Sequence, residues 1–221
     1  MSSPASAPNA LEVDAVILDM DGTLVDSAVA VRTAWTTFAA ARGLDIEEVL
    51  AYANGRQPRD TMAHFAPDEP DPDALGAQLQ RHECSLTEGI VEIPGAIQFM
   101  RSLPPQRVAL VTSASLPLAK VRMGAAGVPF PAMAVTAEDV KTGKPDPEGY
   151  VDAAKRLGVD IRRCAVFEDS RAGLVGALAS GGHVFAIGQA AQDLDGLTAR
   201  LANLEAISAQ AMSPSRVVLR W

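Results

Sequence analysis

Short apolar segments recur along the chain and predict the strands of a buried sheet. Five such segments occupy residues 15–18, 108–111, 132–135, 164–167 and 184–187. Uninterrupted apolarity, rather than alternation, is typical of parallel strands that are covered on both faces. Helical patterns separate the last four segments, and strands that alternate with helices build a doubly wound sheet with right-handed crossovers. The pattern therefore predicts an α/β fold with a doubly wound parallel sheet.

Two of the intervening helices carry recognisable start and stop residues. Asp146 and Pro147 are followed by Gly158, which predicts a helix with Asp at the N-cap, Pro at the first helical position and Gly beyond the end. Ser170 and Gly181 frame the next helix in the same way.

The interval between the first two strands is too long for one crossover and has helical patterns instead. These patterns cover residues 29–41, 47–53, 60–65 and 73–86, with a proline-rich loop at 66–73. We therefore expect residues 28–92 to form a helical cap that is inserted after the first strand. A catalytic core made of residues 11–27 and 93–221, preceded by a disordered tail at residues 1–10, accounts for the rest of the chain.

Two further patterns predict packing rather than chemistry. Trp35 and Phe38 lie at helical spacing and are expected to pack inside the cap from its first helix. Residues 216–221 are expected to add a strand at an edge of the sheet.

Charge and cysteine content exclude several classes of protein. The 221 residues include 19 Lys+Arg and 27 Asp+Glu, so the net charge is −8 and offers no electrostatic footprint for nucleic acid or an anionic membrane. The uncharged stretch 172–192 is broken by polar and glycine residues, which predicts a helix end and a strand rather than a membrane span. Cys84 and Cys164 match no zinc or disulfide pattern. We expect a cytoplasmic monomer or homodimer.

The residues that directly follow the predicted strands are unusually polar. Asp19 and Asp21 follow the first strand, a hydroxyl-rich segment at 112–115 follows the second, and Glu168 and Asp169 follow the fourth. Lys144 precedes the fourth strand. Ligands of open α/β sheets bind beyond the carboxyl ends of the strands, so these groups are expected to converge.

Each of these residues alone could be a turn former, a helix cap or a solvated charge. Together, Asp19, Asp21, Glu168 and Asp169 would repel one another by about 4 kcal/mol per close pair at an effective dielectric near 20. Such a cluster requires a cation, and oxygen ligands at a site open to phosphate favour Mg²⁺. A carboxylate that attacks a phosphate monoester also requires Mg²⁺ and a lysine to offset like charge. The cluster therefore points to phosphoryl transfer.

Four segments resemble, in order, the motifs of the haloacid dehalogenase-like superfamily. They are residues 19–27, 111–114, 144–147 and 167–170. The helical insert is similar to the small cap of the subgroup that contains sugar-phosphate phosphatases and β-phosphoglucomutase. The resemblance implies a Rossmann-like core and a small phosphorylated metabolite as substrate.

The resemblance also implies roles for the acidic residues and the lysine. Asp19 would be the nucleophile that forms an aspartyl-phosphate, and Asp21 would protonate the leaving alcohol and then activate water. Mg²⁺ would be held by Asp19, the Asp21 carbonyl and Asp169, with Glu168 assisting. Lys144 would neutralise the nucleophile and the transferring group.

The binding residues implied by the resemblance leave two alternatives open. Ser113 and the amide of Ala114 would hold phosphate oxygens, and Thr112 takes this role if the alignment shifts by one residue. Gly22 would let the chain turn so that both aspartates face one crevice.

In the cap, the Gly55-Arg56 pair resembles one in sugar- and polyol-phosphate phosphatases of the subgroup. It is expected to contact substrate, because glycine permits close approach and arginine can bind a hydroxyl or phosphate oxygen. The alternative is that Gly55 ends a cap helix and Arg56 faces solvent.

Alternative activities can be weighed against these residues. The dehalogenases of the superfamily lack the second aspartate, which is present here as Asp21, and its transporting ATPases have a lysine where this chain has Met20. A β-phosphoglucomutase-like enzyme would use a cap lysine, yet the first lysine of the chain is Lys120. We therefore expect a Mg²⁺-dependent phosphatase for sugar or polyol phosphates, with a phosphosugar mutase and a non-enzymatic phospho-accepting regulator as the other hypotheses.

Overall fold

The strands and helices of the protein follow an α/β order that is interrupted early by consecutive helices. The computed structural model describes residues 9–189, 191–213 and 216–221. The strands are β1 (Ala10–Val13), β2 (Ala15–Leu18), β3 (Val25–Asp26), β4 (Val91–Glu92), β5 (Val108–Val111), β6 (Met133–Val135), β7 (Cys164–Glu168), β8 (His183–Ile187), β9 (Ala199–Leu201), β10 (Ser208–Ser213) and β11 (Arg216–Arg220). The helices are α1 (Ala28–Arg42), α2 (Ile46–Ala53), α3 (Pro58–Phe65), α4 (Pro72–Glu83), α5 (Ala96–Ser102), α6 (Leu116–Ala125), α7 (Glu148–Arg156) and α8 (Arg171–Ser180).

A six-stranded parallel sheet forms the centre of the fold, in the order β6-β5-β2-β7-β8-β9. The five predicted apolar segments coincide with strands of this sheet, except that Ala132 precedes β6, and this confirms the predicted α/β class. Strand β2 lies between β5 and β7, with Leu18 paired to Leu110 on one side and Phe167 on the other. The residues after β2, β5 and β7 therefore emerge at the same edge of the sheet.

The predicted helix signals are correct for α8 and shifted for α7. Ser170 Oγ accepts a hydrogen bond from Gly173 N at 3.0 Å, and Gly181 ends α8 in the left-handed conformation. Helix α7 has Pro147 at its N-cap, so the assignment of the N-cap to Asp146 was wrong by one residue. The Asp146 carboxylate still accepts from the N–H of the first helical residue, at 2.9 Å.

A separate antiparallel sheet in the order β1-β11-β10 joins both ends of the described chain. The segment expected to be an edge strand thus contains β11, the central strand of this smaller sheet, which corrects the prediction. The predicted tail lies outside the described residues except for Asn9 and Ala10. Those two are ordered, because Ala10 begins β1 and Asn9 N donates to Trp221 O at 3.1 Å.

Apolar residues on the two faces of the large sheet form the main packing clusters. On one face a column of aromatic rings runs from Phe99 through Phe167 and Phe185 to Trp221. Successive ring centroids are 5.3, 4.8 and 5.0 Å apart. The column packs Trp221 against Phe185 of β8, which in turn stacks on Phe167 of β7, the strand that ends at Glu168.

Helices α1 to α4, which we call the cap, have an apolar cluster of their own. Trp35 and Phe38 are buried in it at a centroid distance of 5.5 Å, as predicted. The observed helices overlap the four predicted ones, although α4 ends at Glu83 and not at Leu86. We call the rest of the chain the core. The chain passes between core and cap twice, at β3 and at β4, and these two strands pair as an antiparallel ribbon.

Several hydrogen bonds seat the cap on the strand-end loops of the core. They are Ser113 Oγ to Gly55 O (2.8 Å), Ser115 N to Gln80 Oε1 (3.2 Å), Gln57 Nε2 to Ala137 O (3.3 Å) and Arg59 Nη2 to Lys141 O (2.7 Å). Gly55 is the point of closest approach, because a Cβ built there would lie 2.1 Å from Ser170 Oγ. Its φ of +77° also favours glycine.

The uncharged stretch 172–192 includes most of α8 and all of β8, in agreement with its predicted division. Across the described parts of the chain, we find no helix with the length and apolarity needed to cross a membrane.

Replacing Phe185 tests the aromatic column. Phe185→Ala should lower the free energy of unfolding by about 3–5 kcal/mol, since it removes a buried ring and leaves a cavity. Urea titration followed by circular dichroism measures the loss. Val151→Ala, at an exposed position on α7, should cost less than about 0.5 kcal/mol. Equal losses for the two variants would contradict the packing role of the column.

Replacing Gly55 tests the contact between cap and core. Gly55→Ala should separate the two, because the added methyl group would overlap Ser170. Gly89→Ala is a matched control, since its φ is +76° and nothing lies within 4 Å of its Cβ position. Small-angle X-ray scattering should show a larger radius of gyration for Gly55→Ala than for the control and the wild type. Three superimposable scattering curves would contradict this prediction.

Candidate active site

Asp19 and Lys144 meet in a buried position at the carboxyl end of the sheet. Asp19 directly follows β2, and its Oδ1 lies 2.5 Å from Lys144 Nζ. The same ammonium group forms a salt bridge with Glu168 and lies 3.4 Å from the carbonyl oxygen of Val111. Both Asp19 and Lys144 are only 6% exposed. Residues 125 positions apart in the chain are thus brought into contact.

Glu168 anchors this arrangement from the end of β7. Its Oε1 accepts from Tyr150 Oη at 2.9 Å as well as from Lys144, and its Oε2 accepts from the backbone N–H groups of Asp169 and Ser170. Glu168 is fully buried, so these donors replace the water that a charged carboxylate would otherwise need. Sequence reasoning missed Tyr150, whose position in α7 shows no pattern beyond that of a packing residue.

Three carboxylates lie close enough together to share a cation. Asp19, Glu168 and Asp169 each offer an oxygen, and these oxygens lie within 4.8 Å of one another. Burial and the charge of Glu168 raise the pKa of Asp19 to about 8, although Lys144 acts in the opposite direction. Burial and the same neighbour also raise the pKa of Asp169. The single ammonium group of Lys144 does not balance the negative charge of three carboxylates. The all-oxygen donor set fits a hard divalent cation.

Lys144 remains charged in this setting. Burial alone would lower its pKa, but the charges of Asp19 and Glu168 outweigh burial and raise the pKa well above the usual value. Burial raises the pKa of Tyr150 as well, which keeps the phenol as a neutral donor to Glu168. The site therefore holds one fixed positive charge next to Asp19.

Gly22 brings the segment after β2 against Asp169. Its φ is +82°, and a Cβ at this position would lie 2.0 Å from Asp169 Oδ2. The next residue, Thr23, donates from Oγ1 to Asp169 Oδ1 at 3.1 Å. Glycine is therefore required both for the turn and for the space that the carboxylate occupies.

Asp21 lies at the cap side of the site and is held at both oxygens. Oδ1 accepts from Ser27 Oγ at 2.5 Å, and Oδ2 accepts from Arg122 Nη1 at 2.8 Å. The other arm of Arg122 donates to Glu83 Oε1 at 2.8 Å. Ser27 lies in the first motif segment, 19–27, but the sequence analysis gave it no role. Sequence reasoning missed Arg122 and Glu83, because their partners are distant in the chain and no motif marks them.

The hydroxyl-rich segment after β5 contacts the cap. Ser113 Oγ donates to the carbonyl of Gly55 at 2.8 Å, while Thr112 Oγ1 accepts from Ala114 N at 3.1 Å. The hydroxyl hydrogen of Ser113 is thus engaged, whereas Thr112 Oγ1 is observed only as an acceptor. Both hydroxyl residues and Ala114 line the same cavity as Asp19.

This cavity, of about 510 Å³, lies between the cap and the core. Its cap wall includes Arg56, whose guanidinium lies 4.4 Å from the Tyr52 ring centroid and donates to Tyr52 O at 2.7 Å. Arg56 therefore lines the cavity while its guanidinium is bound to the preceding helix, an arrangement that neither sequence interpretation anticipated. Gly55 follows the end of α2 and lines the cavity too.

The cap wall combines apolar residues with polar residues of both signs of charge. Its charged and amide members are Arg32, Glu47, Asn54, Arg56, Gln80 and Glu83. Trp35 adds an aromatic surface. A small molecule rich in hydroxyl groups finds both donors and acceptors on this wall.

Comparisons with known proteins agree with this geometry. The chain is 42% identical over 175 residues to Hexitol phosphatase A of Escherichia coli (strain K12), covering 77% of this chain and 81% of that protein. It is 31% identical over 191 residues to Glycerol-1-phosphate phosphohydrolase 2 of Saccharomyces cerevisiae, covering 81% and 76%. Its fold matches the crystal structure of β-phosphoglucomutase from Clostridium difficile with a TM-score of 0.75 and 20% identity, over 87% and 92% of the two chains.

A family model extends this similarity across most of the chain. Residues 13–181 match the model described as haloacid dehalogenase-like hydrolase. This range includes the cap and all the residues that surround Asp19. The protein belongs to the haloacid dehalogenase-like hydrolases.

Proposed function

We propose that the protein is a Mg²⁺-dependent phosphatase that hydrolyses small sugar or polyol phosphate monoesters through an aspartyl-phosphate on Asp19. The observation that carries the proposal is the buried Asp19 carboxylate in contact with Lys144, with Asp21 two residues away in the same cavity. The relatives support the substrate class, since the names of two of them specify hexitol and glycerol-1-phosphate.

In the first step, the Asp19 carboxylate would attack phosphorus and form a new P–O bond. The bond from phosphorus to the alcohol oxygen breaks, and Asp21 delivers a proton to that oxygen. Lys144 lies against Asp19 and offsets negative charge on the nucleophile and the transferring group.

In the second step, water would attack the phosphorus of the aspartyl-phosphate. Asp21, now a carboxylate, takes the proton from this water, and the bond between phosphorus and Asp19 breaks. Inorganic phosphate and the original Asp19 carboxylate are the products.

Asp19, Asp169 and the Asp21 carbonyl would hold the Mg²⁺. When bound, the cation would offset the negative charge of the phosphate and of the carboxylates. Glu168 would assist mainly by orienting Lys144, because both of its oxygens already accept hydrogen bonds.

The phosphate and the rest of the substrate would occupy different walls of the cavity. Thr112 is favoured over Ser113 as the hydroxyl donor to phosphate, because Ser113 already donates to the cap. The amide of Ala114 would have to exchange its bond with Thr112 Oγ1 to contribute. Gly55 and Arg56 would face the sugar or polyol.

Asparagine at position 19 tests the nucleophile. Wild type should release phosphate from hexitol phosphates or glycerol 1-phosphate, and Asp19→Asn should lose at least about 10³-fold in kcat, because the amide cannot form the acyl phosphate. A colorimetric phosphate assay measures the loss, and thermal unfolding checks the fold. Asp193→Asn, at an exposed ion pair with Arg171, should keep wild-type activity. More than a tenth of wild-type activity in Asp19→Asn would contradict the role of Asp19.

Metal removal tests the cation. A chelator should stop phosphate release, and added Mg²⁺ should restore it. Mg²⁺ at 100 times its Kd should also stabilise the fold by about 2.7 kcal/mol through mass action, measured by denaturant unfolding with and without chelator. Asp169→Asn should lose most of this stabilisation, while Asp193→Asn should retain it. The cation proposal is wrong if the chelator changes neither activity nor stability.

A further inference from the structure

A chain of buried charges connects the cap to Asp21 and has no part in the mechanism described so far. Arg122, on core helix α6, is 3% exposed and uses both terminal nitrogens: one donates to Asp21 and the other to Glu83, each at 2.8 Å. Glu83 is the last residue of cap helix α4 and is 4% exposed. A buried cap residue and a buried core residue are thus joined to Asp21, whose own side chain is 31% exposed.

These contacts leave the Asp21 carboxylate little rotational freedom. One oxygen is bound by Ser27 at 2.5 Å and the other by Arg122 at 2.8 Å. Charged hydrogen bonds to a planar guanidinium are short and directional. Asp21, Glu83 and Arg122 all line the cavity, so the carboxylate is held at the wall of the cavity in which the proposed function places the substrate.

The arrangement also links Asp21 to the seating of the cap. Arg122 and Glu83 form a buried ion pair between core and cap. A buried charge that loses its partner is strongly destabilising, so this pair favours the state in which the cap lies on the core. Arg122 Nε is buried without a hydrogen-bond partner among the described residues. A buried N–H without a partner is unfavourable, so the pairing is not optimised for stability alone.

We propose that Arg122 is a positioning residue that holds the Asp21 carboxylate for its proton transfers when Glu83 of the seated cap contacts it. This inference rests on the proposed function, in which Asp21 serves the leaving alcohol and then water. Arg122 itself exchanges no proton. Its effect should therefore appear in the steps that need Asp21 and not in the attack by Asp19.

The choice of leaving group distinguishes the attack by Asp19 from the steps that need Asp21. Nitrophenolate leaves without a proton, so phosphorylation of Asp19 by p-nitrophenyl phosphate does not need Asp21, whereas hydrolysis of the aspartyl-phosphate does. In Arg122→Met, we expect a rapid burst of one nitrophenolate per site at a rate within about threefold of wild type, followed by slow turnover. With an alkyl phosphate, kcat should fall about 10²-fold, at the low end of general acid–base effects, with little change in KM. Stopped-flow absorbance and phosphate release measure the two rates.

Conservative and control variants complete the test. Arg122→Lys should recover part of the turnover, because an ammonium group can bind one of the two carboxylates. Arg162→Met, which removes an exposed arginine paired with Asp160, should behave as wild type. If Arg122→Met does not fold, Glu83→Gln replaces it and should show a smaller fall in turnover with the burst preserved.

Two results would overturn this inference and leave the proposed function intact. One is equal slowing of burst and turnover in Arg122→Met or Glu83→Gln, which would indicate a purely structural role. The other is alkyl phosphate turnover by Arg122→Met within twofold of wild type. If wild type itself releases no phosphate and forms no Asp19-dependent nitrophenolate, the proposed function fails and the inference fails with it.

Discussion

The buried contact of Lys144 with Asp19 and Glu168 is the interaction on which the site depends. The carboxylates of Asp19 and Glu168 have oxygens within 4.8 Å of each other. At that distance they would repel by several kcal/mol even at an effective dielectric near 20, and burial removes the water that would otherwise screen them. The ammonium group between them makes the cluster possible. Tyr150 donates to the same Glu168 oxygen as Lys144, and the backbone N–H groups after β7 donate to the other oxygen. Glu168 is thus fixed in place and holds the lysine against Asp19.

The core and the cap contribute different residues to the site. Strands covered on both faces fix the positions of Asp19 and Glu168, because each residue directly follows or ends a buried strand. The cap adds a second wall, with both polar and apolar residues, to the cavity that contains Asp19. Residues from both parts therefore surround the space next to Asp19, and preorganised charges in such a site are the usual basis of electrostatic catalysis.

Much of the fold could be predicted from local patterns, and the reasons are visible at particular residues. The apolar segments around Leu18 and Phe167 identify strands because both faces are buried, and Ser170 with Gly181 marks a helix because caps act within a few residues. Strands β1, β3, β4, β9 and β10 were not predicted, since they are short or mostly polar. The N-cap of α7 was misplaced because Asp146 and Pro147 can both precede a first turn.

The acidic cluster could be predicted because its members follow strands that end at one edge of the sheet. The partners of Asp21 could not, since Arg122 is 101 residues away and sits in a helix whose pattern gives no sign that its side chain is buried. Tyr150 was missed for the same reason. Contacts that arise only when two distant elements pack leave no trace in local periodicity.

The paired crossings between core and cap have a mechanical consequence. The two paired strands are only two residues long each, so a change in the position of the cap relative to the core would be concentrated at the ribbon of β3 and β4. Ser27 immediately follows this ribbon and donates to Asp21. Such a change would therefore act next to the hydroxyl group that binds Asp21, within the site and not at a distance from it.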